Sequence, residues 1–200
     1  MNTLMALVLV LRVFDRSGDS AESRQAAMLA ADSILREADV TATWVDCSKG
    51  SRLASHAACT DPLGSGELAI RITAGPREEA PTSQRALGYS LVEPDVGGTL
   101  ATVFSDRVAW LAASSAARYT ALLGRAVAHE IGHLVIGTNE HSNAGLMRAV
   151  WTSAELVRDA HNDWLFTTDD RSRLHRSRVG QDQWRVAESD AHGAETPDES

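Results

Sequence analysis

Two hundred residues make one ordinary domain, and a hydrophobic content of 44% supplies a real core and excludes a wholly disordered chain. Twenty-seven acidic residues against 19 basic ones leave a formal charge of −8, without the basic footprint of a nucleic-acid binder. No apolar run approaches the roughly 18–20 residues of a membrane span.

The chain opens on an apolar run, Leu4 to Leu11. It has no positive residues before it and no small-residue cleavage site before Arg12-Val13-Phe14-Asp15, so Met5–Phe14 reads as a buried strand and no signal peptide is identified. Ala21–Ala38 follows with Ala27, Leu29, Ala30, Ile34 and Leu35 at mostly helical spacing, and Val40–Val45 alternates as a second strand. A strand-helix-strand unit of this kind predicts two parallel neighbours. Glu67–Thr73 is a third strand, closed by Gly75-Pro76.

Between the second and third strands lie the two cysteines, Cys47 and Cys59. They can be a disulfide closing a 13-residue loop, two buried thiols, or metal ligands; a single pair eleven residues apart makes a poor zinc site. The Ser/Gly/Ala-rich segment Ser48 to Leu63 has little to order it, and a disulfide would add roughly 2–3 kcal/mol. The disulfide is the reading adopted, and with it a secreted or periplasmic location.

Pro76–Gln84 reads as a polar loop, and Ala86–Val92 and Thr99–Phe104 as short strands joined through the turn residues Pro94-Asp95-Val96-Gly97-Gly98. From Asp106 the period is helical through Ile136, with a break near Ser114-Ser115 and a stop at Gly137. After an irregular stretch from Thr138 to Val150, Thr152-Ser153-Ala154-Glu155 matches a capping box, and Thr167-Thr168-Asp169-Asp170 has an N-cap and an acidic first turn. The expected organisation is a single catalytic domain over 1–186, with an N-terminal subdomain 1–137 and a C-terminal subdomain 138–186. An acidic, disordered tail over 187–200 follows.

The chemistry is concentrated in one segment. His129 and His133 stand four apart on a predicted helix, so both imidazoles leave one face a turn apart and can bind a single ion. Glu130 is rotated one residue from that face, which suits a carboxylate beside a metal-activated water. Leu122, Leu123, Val127, Ile131, Leu134 and Val135 supply apolar surface for burial. Gly132 costs the helix roughly 1 kcal/mol relative to Ala, a cost that often permits close packing beneath a site. Gly137, His141 and Gly145-Leu146-Met147 follow in order.

This stretch, His129-Glu130-Ile131-Gly132-His133 through Gly137, His141-Ser142 and Gly145-Leu146-Met147, resembles the metzincin zinc metalloproteases. It is most similar to small bacterial metalloproteases with a His-Glu-Leu-Gly-His…Gly…His-Ser…Gly-Ile-Met pattern. The match covers about twenty residues. It implies an α+β, metzincin-like fold: a twisted mixed β-sheet of four to five strands, two long helices including the zinc-binding one, and a small helical C-terminal subdomain. It also implies one catalytic Zn²⁺ on His129, His133 and His141, Glu130 as general base and acid, and Met147 as the Met-turn beneath the ligands. The substrate would be a peptide or protein, held in extended form by a sheet edge drawn from Ala86–Leu91 or Thr99–Phe104, with the chain a monomer. Gly97-Gly98-Thr99-Leu100-Ala101 is similar to a glycine-led edge strand of matrixins.

The spacing departs from the family. Gly137 is four residues after His133 and His141 four beyond Gly137, two more than the usual pattern, and Met147 is only six past His141. Glu155, on the following helix, is therefore the competing third ligand. Glu140 is expected to point elsewhere; His56, His161, His175 and His192 lack partners at ligand spacing, with His161 a candidate for support behind the ligands. The expected activity is zinc-dependent endopeptidase hydrolysis. Two alternatives are a catalytically inactive metal- or peptide-binding module of the same fold, and a zinc hydrolase of non-peptide amides.

Overall fold

A computed structural model describes residues 7–52, 56–76, 86–93 and 96–176. The residues before Leu7, most of the 76–84 loop, the first two turn residues of 94–98, His192 and the acidic tail lie outside these. Strands β1 (Leu7–Asp15), β2 (Val40–Asp46), β3 (Glu67–Thr73), β4 (Gly88–Glu93) and β5 (Gly97–Phe104) form one sheet in the order β2-β1-β3-β5-β4. The first four in that order run parallel and β4 is antiparallel to β5.

Alternation sets the buried face. Leu7, Leu9, Leu11 and Val13 of β1, Leu68, Ile70 and Ile72 of β3, and Ala101 and Val103 of β5 are buried in one hydrophobic cluster. Two long helices close that cluster: α1 (Ala21–Glu37) and α4 (Tyr119–Ile136), which pack on each other and on the sheet. Ser20 caps α1, its side chain accepting from the Ser23 amide. Between β2 and β3 lies the short helix α2 (Ala57–Thr60). Helix α3 (Ser105–Ser115) ends at Ala116 in a left-handed conformation, which is the break expected near Ser114-Ser115.

Cys47 and Cys59 are joined in a disulfide. The chain just beyond Cys59 is held from the sheet: buried Arg12 donates to the Asp61 carbonyl at 2.7 Å and pairs with Glu67.

One expectation is corrected by the sheet order. Thr99–Phe104 is not an edge, because β5 pairs with β3 on one side, through Leu100–Phe104, and with β4 on the other. The edge strands are β4 and β2. Among the described residues no helix is long and apolar enough to cross a membrane.

Beyond α4 the chain folds as a small helical layer: α5 (Ser153–Arg158), a 3-10 turn (His161–Trp164) and α6 (Thr168–Arg176). The Thr152–Glu155 capping box is formed in both directions. At α6, Thr167 Oγ1 accepts from the Asp170 amide at 3.1 Å while the Asp170 carboxylate accepts from the Thr167 amide at 3.0 Å.

Candidate metal centre

Helix α4 is buried almost throughout, from Leu122 to Val135 with Arg125 slightly exposed, so His129, Glu130 and His133 are polar groups placed inside an apolar helix. Burying them is costly unless their polar atoms find partners. The Nδ1 of His129 lies 2.9 Å from the Leu146 carbonyl oxygen, and the Nδ1 of His133 lies 2.7 Å from that of Thr138. A carbonyl only accepts, so each Nδ1 carries the proton and donates.

The two Nε2 atoms then face each other at 3.0 Å. Burial pushes the His129 imidazole down to about 3, with His133 beside it adding to the effect, and burial lowers His133 as well. Both rings are therefore neutral at ordinary pH and neither Nε2 has a proton to offer. Two lone pairs in contact are an electrostatic liability that a shared cation removes. Tetrahedral ligation at the usual Zn–N distance sets nitrogens about 3.3–3.4 Å apart, close to the spacing found.

The third ring is His141. Its centroid is 4.8 Å from that of His133 and 5.4 Å from that of His129, and the ligand atoms of all three residues lie within 4.8 Å of one another. His129, His133 and His141 form a group that can hold a metal ion. Burial lowers the His141 imidazole too, keeping it in the neutral, ligating form.

The route to His141 explains the two extra residues. Gly137 ends α4 in the left-handed region, φ 78°, its amide bonding the His133 carbonyl at 3.0 Å. Thr138 turns the chain, its hydroxyl oxygen accepting from the Glu140 amide at 3.1 Å. Ser142 then anchors the loop twice: its amide bonds the Met147 carbonyl at 2.9 Å, and its hydroxyl donates to the buried Asp170 carboxylate at 2.5 Å.

The remaining candidates are elsewhere. Glu155 is occupied by its own cap and by Arg148 at 3.2 Å. Glu140 is exposed and faces Arg173. His56 caps α2, His161 is exposed at the start of the 3-10 turn, and His175 Nε2 lies 2.9 Å from the Ala38 carbonyl oxygen. Met147 is buried against α4 at Gly132, where a Cβ would stand 2.6 Å from its sulfur and 2.7 Å from the Phe166 ring. Gly132 accepts its propensity cost because no other residue leaves that space.

Glu130 is buried beside the histidines. Burial pushes its carboxyl up to about 7, against the hydrogen bond from Ser90, whose hydroxyl lies 2.8 Å from Oε2. A carboxylate poised there can take up and release a proton near neutral pH. The group lines a cleft of about 540 Å³, bounded by edge strand β4 through Gly88–Ser90, by Trp110 and Leu111 of α3, and by Val150-Trp151.

The sequence reading did not identify Ser90, Asp170 or Trp151, whose ring stands edge-on to His129 with centroids 6.0 Å apart. Nor did it find the carbonyls of Thr138 and Leu146. Their partners are five to 40 residues away, and none belongs to a local spacing pattern. A Ser at the inward position of an apolar strand was the one readable signal.

No protein-family model matches the chain, and no curated protein matches it in sequence. Solved structures match its fold. A zinc-dependent peptidase from Methanocorpusculum labreanum, 18% identical, aligns over 82% of this chain and 99% of its own with a TM-score of 0.54. Archaemetzincin from Methanopyrus kandleri, 15% identical, aligns over 84% of this chain and 94% of its own at 0.51. Metalloproteinase-II from Bacteroides fragilis, also 15% identical, aligns at 0.51 over 86% of this chain, which spans only 53% of that protein. The chain therefore has the mixed α+β fold of these three structures.

Proposed function

We propose that the chain is a zinc-dependent metallopeptidase that hydrolyses peptide bonds, with His129, His133 and His141 holding one Zn²⁺ and Glu130 acting as general base and then general acid. The observation that carries this reading is the buried Glu130 carboxylate in the same cleft as three converging neutral imidazoles. Three nitrogen donors leave a coordination position open, and an ion in such a site supplies polarisation of a carbonyl and acidification of water.

The protein's own groups do the rest. Glu130 accepts the proton of the attacking water and passes it to the departing amine nitrogen. The carbonyls of Leu146 and Thr138 hold the two helix imidazoles in the ligating tautomer. Strand β4 borders the cleft as an edge six residues long, and an extended peptide adds to it through backbone hydrogen bonds. Gly88–Ser90 line the cleft and the edge continues to Glu93 beyond it, room for peptide residues past the site, which supports an endopeptidase. That two of the structural neighbours are a zinc-dependent peptidase and a metalloproteinase supports the same reaction class.

The test is elemental analysis and peptide-library turnover on wild type, Glu130→Ala and His141→Ala. One zinc per chain is expected in wild type and Glu130→Ala, with turnover in wild type alone. Wild-type protein that takes up no zinc, or a Glu130→Ala variant that still cleaves, overturns the reading.

A further inference from the structure

Edge strand β4 has a single buried residue, Ser90, and it is polar. It packs against α4, a helix buried almost throughout, at a position where alternation calls for an apolar side chain. A buried hydroxyl is tolerated only with a partner. The partner is Glu130: Ser90 Oγ lies 2.8 Å from Glu130 Oε2 and 2.9 Å from the Glu130 carbonyl oxygen.

The other carboxylate oxygen meets the same strand. Gly88 is two residues earlier and on the same face as Ser90. A Cβ at Gly88 would stand 2.7 Å from Glu130 Oε1 and 2.6 Å from the Thr102 carbonyl oxygen. One oxygen is therefore bonded by a hydroxyl while the other lies against bare glycine backbone. A glutamate side chain has three rotatable bonds, and this clamp removes their freedom before any substrate arrives.

We infer that Ser90 is the positioning residue for Glu130, its hydroxyl holding the carboxylate in the orientation from which it serves the cleft. The inference rests on Glu130 being the general base, and it places that control on the strand that borders the substrate.

Two measurements test it. In zinc-loaded protein, Ser90→Ala is expected to lower kcat by about tenfold or more with KM within twofold, because the base is disordered while the peptide edge is intact. Ser90→Thr, which keeps the hydroxyl, is expected to recover most of the loss. In metal-free protein, the fall in Tm caused by Ser90→Ala is expected to shrink by more than half when Glu130 is already Ala. An unchanged kcat in Ser90→Ala, a loss that Ser90→Thr does not recover, or additive Tm changes would overturn the inference. Should wild type cleave no peptide, the general-base reading falls by itself, and the metal-free comparison still decides whether Ser90 holds Glu130.

Discussion

Asp170 is where the small C-terminal layer reaches the metal centre, and replacing it puts a number on that support. Its carboxylate is buried and accepts three hydrogen bonds: from the Ser142 hydroxyl at 2.5 Å, the Thr167 hydroxyl at 2.7 Å and the Thr167 amide at 3.0 Å. Bonds to an ionised acceptor contribute about 1.5–3 kcal/mol each, and a helix cap about 1 kcal/mol. Ser142 and Thr167 are only partly buried, so after Asp170→Ala their donors regain water and the lower end applies. Two hydroxyl bonds at about 1.5 kcal/mol each and the amide cap at about 1 kcal/mol give an expected loss of about 4 kcal/mol, a fall in Tm of roughly 10 °C for a domain of this size. Asp170→Asn keeps an acceptor toward Thr167 and can donate to the Ser142 oxygen, so it loses the charge alone, about 1 kcal/mol. Urea unfolding of metal-free protein measures both. Because Ser142 adjoins His141, zinc titration is expected to show about a tenfold weaker affinity in Asp170→Ala. A loss below about 1 kcal/mol in that variant, or equal losses for Ala and Asn, refutes the reasoning.

Other expectations follow from the same geometry. His141→Ala should weaken zinc binding by at least an order of magnitude while Glu155→Ala leaves it within twofold; isothermal titration of the two variants decides which residue is the third ligand. Asp46 pairs with Arg24 at 3.1 Å; burial pushes its carboxyl up, but the hydrogen bonds from Ser48 and the Arg24 guanidinium outweigh it and hold the group below its usual value. A depressed folded pKa gives stability that is present above the unfolded value near 4 and lost as pH falls through the folded one. Asp46→Asn should therefore cost about 1 kcal/mol at neutral pH, with the gap to wild type closing in acid, as followed by urea midpoints across pH. Reduction of the Cys47–Cys59 disulfide should lower stability by roughly 2–3 kcal/mol. It should leave zinc affinity unchanged, because none of the described residues of the bracketed loop lines the cleft; calorimetry and metal titration with and without reductant check both.

What was legible in the chain was what local periodicity encodes. The strand at Glu67–Thr73 and the helices around Ala21–Glu37 and Tyr119–Ile136 follow from apolar spacing, and a four-residue interval places His129 and His133 on one helix face wherever that helix goes. Gly137 marks the end of Tyr119–Ile136 and the Thr152–Glu155 box the start of Ser153–Arg158, because caps are satisfied by neighbours a few residues away.

The rest depended on pairings between distant segments. Alternation marks β5 as a strand but not as an interior one; only its two hydrogen-bonded neighbours make β4 the edge beside the cleft. The interval between His133 and His141 does not match the family pattern, and what brings the His141 ring beside His129 and His133 is a turn at Thr138 and an anchor from Asp170, 28 residues beyond Ser142. Ser90 reaches Glu130 across 40 residues of sequence. The chain alone determined which side chains could ligate, because helical rise and residue chemistry are local. Tertiary structure decided which of them converge and what holds them, because a metal centre is a point in space to which separate elements must each deliver one atom.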